Sequence, residues 1–365
     1  MFFKLKRVLA FALVMAMTMS MAAGCGKSEQ SGKVVFSVAG QDVTLDEVWF
    51  YCKSVQEYYE SYYSSMFTEP DVWTSNYPAT KDDGSTEETT LEKIAKRSAI
   101  KQIREIKVAY SKAGDYNVSL SESEKEEVVN QATEMMEKVT KEEKEIMGID
   151  KDTAIKVFTE SAVVQKLREK LAKEEGVEIS DEEAKTSKIY YIYFPTSATD
   201  ASGNAVEASA ENKKKASADA EDALKRVLAG NDIATVAAAY GMGGSSGEMT
   251  IDSETELPGN LLERISKLKD GETVDKVIAA ADGFYIIQML KVVDETATAE
   301  KKEELLSERE KVLLSDKIDE WTMGQDFDYD KDVNWEYMDE IDFVAQSSVK
   351  ASNSDSSKDE ASSDS

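Results

Sequence analysis

Residues 186–195 read TSKIYYIYFP, and residues 275–292 read DKVIAAADGFYIIQMLKV. Both stretches contain runs of β-branched and aromatic residues, Ile189–Phe194 and Phe284–Ile287, which favour strands. The sequence between the two runs predicts a long polar helix, a short helix, a Gly/Ser turn and a further helix that stops before Gly271. This order of strand, helices and strand predicts a domain of mixed secondary structure over residues 180–294.

Three short motifs in this block occur in the order that parvulin-type peptidyl-prolyl isomerase domains show. Thr186–Tyr190 (TSKIY) aligns with the family motif A-[RS]-H-I-L, and Gly283–Gln288 (GFYIIQ) aligns with G-Y-H-I-I-K. Between them, Leu268–Glu272 (LKDGE) matches the family motif L-K-x-G-E. The block therefore resembles a parvulin-type domain. The resemblance implies a small antiparallel sheet with flanking helices that binds X-Pro segments of polypeptides.

The same resemblance suggests site residues, position by position. The family's two histidines become Lys188 and Tyr285, and this chain has no histidine at all. The other positions that the resemblance assigns to the proline pocket are Met242, Met249, Leu257, Leu261 and Leu262. Without imidazoles, we expect weak or absent isomerase activity, so no catalytic residue is assigned. The alternative is an active isomerase, in which binding and desolvation alone supply the rate.

The sequence before this block predicts a helical domain over residues 33–178. Its opening, V-A-G-Q-D-V-T-L-D-E-V, resembles the V-N-G-x-x-I-T-x-x-E opening of PrsA- and SurA-type foldases. In that family a helix from the C-terminal side completes the helical domain, and residues 296–323 carry the expected apolar stripe. The predicted fold class is therefore α+β, a mostly helical discontinuous domain with the parvulin-like domain inserted.

One predicted helix of this domain, from Thr44 to about Phe67, is rich in aromatic residues. A capping box of Thr44 and Glu47 marks its start. Its tyrosines share one face, so they form either a core-facing stripe or an aromatic cradle for extended client chains. Residues 68–88, with two prolines and a glycine, are predicted to be a loop.

The N-terminus has the pattern of a bacterial lipoprotein signal over residues 1–24. A basic start and a short apolar run precede small residues and Cys25. We expect cleavage before Cys25 and lipid attachment to its thiol, with residues 25–32 as a tether; ordinary cleavage is the alternative. Cys52 would then be the remaining thiol, a buried apolar residue rather than a nucleophile.

Composition excludes several partners. A net charge of −28 disfavours nucleic acid and anionic lipid. The acidic and aromatic residues of 324–345 include alternating aspartates. No glycine or glutamate stands at the positions that a calcium loop requires, so this stretch is predicted to be a solvated acidic segment. We therefore expect no metal and no cofactor. Residues 346–365 are predicted to be a disordered Ser/Asp tail.

These features together favour an extracytoplasmic, membrane-anchored foldase or chaperone for unfolded or newly secreted polypeptides. Its lipid on Cys25 would hold it on the outer face of the cell membrane. A solute-binding lipoprotein is the less favoured class, because that fold needs repeated βαβ units and the predicted strands cluster in residues 33–39 and 186–294.

Overall fold

The computed structural model describes residues 32–80, 84–199, 205–207, 209–258 and 261–347. The fold is α+β, as the sequence predicts, and the chain divides into two compact units. The first unit comprises Met1–Gly176 with Glu310–Ser365, and the second comprises Val177–Arg309. The expected signal peptide, Cys25, most of the tether and the end of the Ser/Asp tail lie outside the described residues.

The first unit is mostly helical. Its elements are β1 (Val34–Val38), β2 (Gln41–Thr44), α1 (Leu45–Tyr62), β3 (Asn76–Thr80), β4 (Thr86–Thr90), α2 (Leu91–Lys112), α3 (Glu122–Lys138), α4 (Lys141–Met147), α5 (Lys151–Glu174), α10 (Trp335–Met338) and α11 (Phe343–Gln346). Helix α9 (Glu295–Trp321) begins in the second unit and ends in the first. Short 3₁₀ turns at Pro70–Thr74 and Ala113–Tyr116 complete the series.

The core of this unit is built by helices α1, α2 and α5. Trp49, Ile100, Ile103 and Leu167 are fully or almost fully buried in it. The apolar faces of these helices recur at three- and four-residue spacing, which is why they pack side by side. The aromatic stripe of α1 is therefore a core face along the first turns of the helix.

Two expectations about segments of this unit, residues 68–88 and 324–345, are wrong. Residues 68–88 are not a plain loop, because strands β3 and β4 pair antiparallel there, with Tyr77 opposite Thr89. The segment 324–345 is not solvated throughout, because Val333, Met338, Ile341 and Phe343 are buried in the core of the unit. The short helices α10 and α11 are not apparent from the sequence, because acidic residues separate their apolar residues.

The second unit contains the sheet predicted from the two strand motifs. Its elements are β5 (Ser187–Pro195), β6 (Ser197–Thr199), β7 (Ala205–Glu207), α6 (Ala210–Leu228), α7 (Ile233–Ala239), β8 (Gly247–Ile251), α8 (Leu261–Ile265), β9 (Ile278–Ala279) and β10 (Gly283–Lys291). Strands β8, β5, β10 and β9 form one sheet in that order, and every pair in it is antiparallel. Helices α6 and α7 contact the central strands.

Candidate functional site

Strands β5 and β10 bring two tyrosines together at the centre of the sheet. The register places Tyr285 directly opposite Tyr193. Directly opposed residues of an antiparallel pair point to the same face, so these side chains are neighbours. Their rings stack with centroids 4.8 Å apart and an interplanar angle of 27°.

Asp282 accepts hydrogen bonds from the hydroxyl groups of both tyrosines. Tyr285 donates from its hydroxyl to Oδ2 of Asp282 at 2.6 Å, and Tyr193 donates to the backbone oxygen of the same residue at 2.8 Å. Burial and the hydrogen bond to the Asp282 carboxylate raise the pKa of Tyr285 far above its usual value. Burial and Asp282 also raise the pKa of Tyr193. Both phenols therefore stay neutral at physiological pH and keep a hydroxyl oxygen that can accept a hydrogen bond.

Gly283 makes room for this pair. A Cβ atom at this position would lie 2.5 Å from Cε2 of Tyr193 and would also clash with the carbonyl oxygen of Phe194. Since real Cβ atoms do not tolerate such contacts, a side chain here would displace either the ring or the strand. Glycine at 283 is thus required by the close approach of Tyr193.

The Gly/Ser turn after α7 fixes the backbone on the other side of Tyr193. Ser246 accepts from the backbone N–H of Tyr193 at 3.3 Å, and Ser245 donates to its carbonyl oxygen at 3.2 Å. Ser245 also contacts the sulfur of Met242 at 3.8 Å, which places this thioether at the same turn. The turn therefore positions Tyr193 and Met242 together.

The remaining pocket candidates surround the same apolar core. Met249 lies on β8 opposite Ile189, on the face that alternation assigns to Tyr191 and Tyr193. Half-buried residues that pack on the core of this unit include Tyr191, Met242, Met249, Leu257, Leu262 and Tyr285. Leu261, in contrast, is 1% exposed and belongs to the core itself.

Lys188 does not join this group. It is five residues from Tyr193 on β5, a separation of about 17 Å at the rise of a strand, and an odd spacing puts it on the opposite face. Its ammonium pairs with Glu248 at 2.5 Å, and this pairing raises the pKa of Lys188. The structure thus separates the two positions that the sequence motifs bring together, and the β5 residues on Tyr285's face are Tyr191 and Tyr193.

This arrangement can bind an apolar ring such as that of proline, but it offers few groups for acid–base chemistry. An aromatic and thioether surface accommodates a proline ring, and the phenol oxygens can accept hydrogen bonds from a peptide. Histidine is absent from the whole sequence. Within the described ranges, no cluster of three or more carboxylate, thiol or imidazole groups could hold a metal ion.

The helical unit contains a second aromatic surface, at the end of α1. Tyr58 is 40% exposed, Tyr62 is 68% exposed, and Met66 beyond the helix is 43% exposed. The rings of Tyr58 and Tyr62 stack at 5.4 Å, and Tyr63 lies 4.9 Å from Tyr62. The far end of α1 is therefore an exposed aromatic patch, whereas Cys52 nearer its start is buried, which raises the pKa of its thiol to about 12.

No helix in the described part of the chain combines the length and apolarity that a membrane span requires.

Comparison with known proteins identifies the second unit. A family model described as "Rotamase: PPIC-type PPIASE domain" matches residues 197–291, which confirms the predicted parvulin-type domain. No curated protein matches the chain.

Solved structures similar to the chain include several PrsA proteins. PrsA from Bacillus subtilis is 16% identical, covering 70% of this chain and 95% of that one, with a TM-score of 0.24. The peptidylprolyl isomerase PrsA from Bacillus cereus is 17% identical, covering 74% and 100%, with a TM-score of 0.30. Foldase protein PrsA from Streptococcus pneumoniae is 15% identical, covering 85% and 100%, with a TM-score of 0.25.

Proposed function

We propose that this chain, with its PPIC-type domain at residues 197–291, is an extracytoplasmic foldase that binds unfolded polypeptides and has weak or absent isomerase activity. A lipid on Cys25 would hold it at the membrane. Its clients would be newly secreted chains, including X-Pro segments.

The observation that carries this proposal is the Tyr193–Asp282–Tyr285 cluster. Rotation of an X–Pro bond crosses a barrier of about 18–20 kcal/mol without breaking a covalent bond. A catalyst needs an apolar pocket and groups that favour the twisted amide over the planar one. Here both phenol protons are already donated to Asp282, so neither is directed at a substrate. The half-buried face can still bind a proline ring, which favours binding over catalysis.

The exposed aromatic patch of Tyr58, Tyr62, Tyr63 and Met66 supports a binding role for the helical unit as well. Tyrosine combines a large apolar ring with a polar tip and few rotamers, so it contacts extended chains at small entropic cost. An acidic protein of net charge −28 also favours basic clients over acidic ones.

Protease-coupled cis/trans kinetics on a series of X-Pro tetrapeptides test the catalytic part. We expect little or no acceleration from the chain without residues 1–24, at concentrations where ordinary parvulins are readily detected. A large acceleration that is lost in Tyr285→Phe would show instead that the protein is an active isomerase.

Suppression of aggregation tests the binding part. A chemically denatured client diluted into buffer should aggregate more slowly in the presence of the protein. Replacement of Tyr62 by Ser should weaken this effect, whereas Glu126→Gln, an exposed change in α3, should leave it unchanged. Equal aggregation with and without the protein would contradict the proposed chaperone role.

A further inference from the structure

The helical unit contains a cavity of about 760 Å³. Its walls come from the end of β1, the middle of α2, the end of α9 and the segment that follows α9. Apolar and charged side chains share these walls. The apolar lining includes Phe36, Val38, Val108, Ile318 and Phe327.

Arg104 lies on the wall that α2 contributes, and no described residue accepts a hydrogen bond from its Nε. Its guanidinium carbon lies 3.8 Å from the ring centroid of Phe327, so the group is held in place by stacking. Its Nε is buried without a hydrogen-bond partner among the described residues, and the charge of this side chain acts on the neighbouring Glu105. A guanidinium carries five N–H donors, and leaving a buried one unsatisfied costs about 1–3 kcal/mol. Arg104 is therefore positioned for an acceptor that a ligand brings.

A free strand edge borders the same cavity. Strands β1 and β2 form a two-residue hairpin whose turn, Ala39–Gly40, has positive φ angles of 51° and 71°. The pair next to such a turn, Val38 and Gln41, exchanges backbone hydrogen bonds, so the N–H and C=O of Ser37 point away from β2.

Val35, two residues before Ser37 on this edge, already accepts a backbone hydrogen bond from outside the hairpin. Asn334 donates its backbone N–H to the carbonyl oxygen of Val35 at 2.8 Å. In the part of the chain that the structure describes, no strand other than β2 pairs with β1. The edge is thus covered at Val35 but open at Ser37, which lines the cavity.

We propose that this cavity binds an extended polypeptide, which pairs with β1 at Ser37, inserts one apolar side chain and accepts a hydrogen bond from Arg104. Backbone pairing at an edge recognises a polypeptide rather than a small molecule. Four carboxylates line the cavity, those of Glu105, Asp319, Asp326 and Asp332, against the three cations Lys101, Arg104 and Lys331. Because the acidic groups are in excess, the favoured segment has basic residues beside the apolar one. This inference rests on the proposed function, because the ligand is the unfolded client, and it assigns that client a site in the helical unit.

Fluorescence anisotropy tests the edge pairing. The probe is a fluorescein-labelled peptide, Lys-Lys-Thr-Ile-Thr-Val-Thr-Lys-Lys, titrated with the chain lacking residues 1–24. Ser37→Pro removes the outward N–H, while the bonds to β2 remain, since Pro is tolerated on edge strands. We expect binding to weaken about tenfold in Ser37→Pro and to stay unchanged in Ser37→Ala, the matched control that keeps the N–H.

A second pair of variants tests the arginine. Arg104→Met keeps an apolar chain of similar length but removes the donors, so we expect binding to weaken by about fivefold to tenfold. Lys112→Met removes a charge from the same helix away from the cavity and should change nothing. A probe with glutamates in place of its lysines should also bind about tenfold more weakly.

Hydrogen exchange supplies a readout that needs no variant. Exchange in the segment 33–41 should slow when the probe is added, because the Ser37 amide becomes bonded. If the wild-type chain does not bind the probe, or if Ser37→Pro and Arg104→Met bind it as well as wild type, the inference is overturned. If the wild-type chain still suppresses aggregation in that case, the proposed function stands without this site.

Discussion

At the scale of single residues, Gly283 controls the geometry of the candidate site. It is the first residue of β10, the strand that carries Tyr285, and it follows Asp282, which accepts from both phenols. Its missing side chain lets the ring of Tyr193 come close to the backbone at this position. The stacked tyrosines therefore depend on the absence of a side chain at Gly283.

Replacement of Gly283 by Ala should disturb the site and lower stability. The added Cβ would clash with Tyr193 and with the Phe194 backbone, and overpacking of this kind costs typically about 1–3 kcal/mol. Urea unfolding followed by tyrosine fluorescence measures the effect. Gly247→Ala is the matched control, because no atom lies within 4 Å of its added Cβ; equal stabilities of the two variants would contradict the packing argument.

Glu124 should make part of the stability of the helical unit depend on acid pH. Its carboxylate accepts from Lys166 and from the backbone N–H of Ser121, which lowers its pKa from 4.5 to about 2. A carboxyl whose pKa is lower in the folded state stabilises the fold above its unfolded pKa and loses that contribution as pH falls.

We therefore expect a loss of wild-type stability between about pH 4.5 and about pH 2 that is smaller in Glu124→Gln. Thermal melts across this range measure it. Glu126→Gln, an exposed change in the same helix, should retain the wild-type profile. Parallel acid profiles for wild type and Glu124→Gln would rule out this linkage.

The residues of the site were only partly predictable. The strand composition around Ile189 and Ile286 fixes β5 and β10, and these strands are confirmed. The composition does not determine the register of β5 against β10. A slip of one residue would exchange the two faces of a strand. That is why the motif put Lys188 beside Tyr285, and why Tyr193 and Asp282 were missed.

At the scale of elements, a buried ion-pair network ties α1, α2 and α5 together. Lys107 is fully buried, and its ammonium lies 2.5 Å from Glu47 and 2.7 Å from Glu160. Lys156 reaches Glu47 at 2.7 Å. The sequence assigned Glu47 to a capping box with Thr44, but Thr44 makes no side-chain cap and Glu47 is buried in this network.

Lys107→Met should destabilise the helical unit by about 3–5 kcal/mol, because it leaves two buried carboxylates without their shared cation. Chemical denaturation followed by tryptophan fluorescence measures this loss. A second change, Glu160→Gln, should restore part of it by removing one unpaired charge. Lys112→Met provides the matched control; a similar cost there would mean that burial of Lys107 is not the cause.

Helix starts were the most predictable elements and short strands the least. The start of α3 can be read from the sequence, because its capping box of Ser121 and Glu124 lies within four consecutive residues. Strands β3 and β4 contain Pro78 and several polar residues, a composition typical of loops, and their pairing depends on contacts along the whole hairpin.

At the scale of the whole molecule, we propose that the helical unit is a discontinuous domain that needs the chain after α9. Buried Val333, Met338 and Ile341 come from this segment, and Phe343 packs edge-to-face on Trp73 at 4.9 Å. Gln56 of α1 also donates to the carbonyl oxygen of Phe343 at 2.8 Å. The segment is thus part of the core.

Removal of residues 324–365 should therefore abolish cooperative unfolding of the helical unit, because several buried side chains and their partners are lost. Scanning calorimetry measures the transition, and tryptophan fluorescence reports on Trp49 and Trp73. Removal of residues 348–365 alone is the matched control and should leave the transition unchanged. An intact helical transition without residues 324–365 would contradict this model.

The proposed anchor at Cys25 is tested in the cell. Cys25→Ala should prevent lipid attachment, so the protein should be released into the medium or remain uncleaved. Fractionation and intact-mass measurement distinguish these products. Unchanged membrane retention together with an unchanged mass would exclude Cys25 as the lipid site.

The division of the first unit into two distant stretches has a consequence for biogenesis. A chain emerges from the ribosome N-terminus first, at about 5–20 residues per second. The second unit, Val177–Arg309, is contiguous and has all its residues available before residue 310 is made. The first unit must instead wait, for a time of order ten seconds, until the strands and helices that bury Trp49 and Trp73 can meet Phe343. During that interval the proposed foldase is itself an incompletely folded chain that exposes apolar surface.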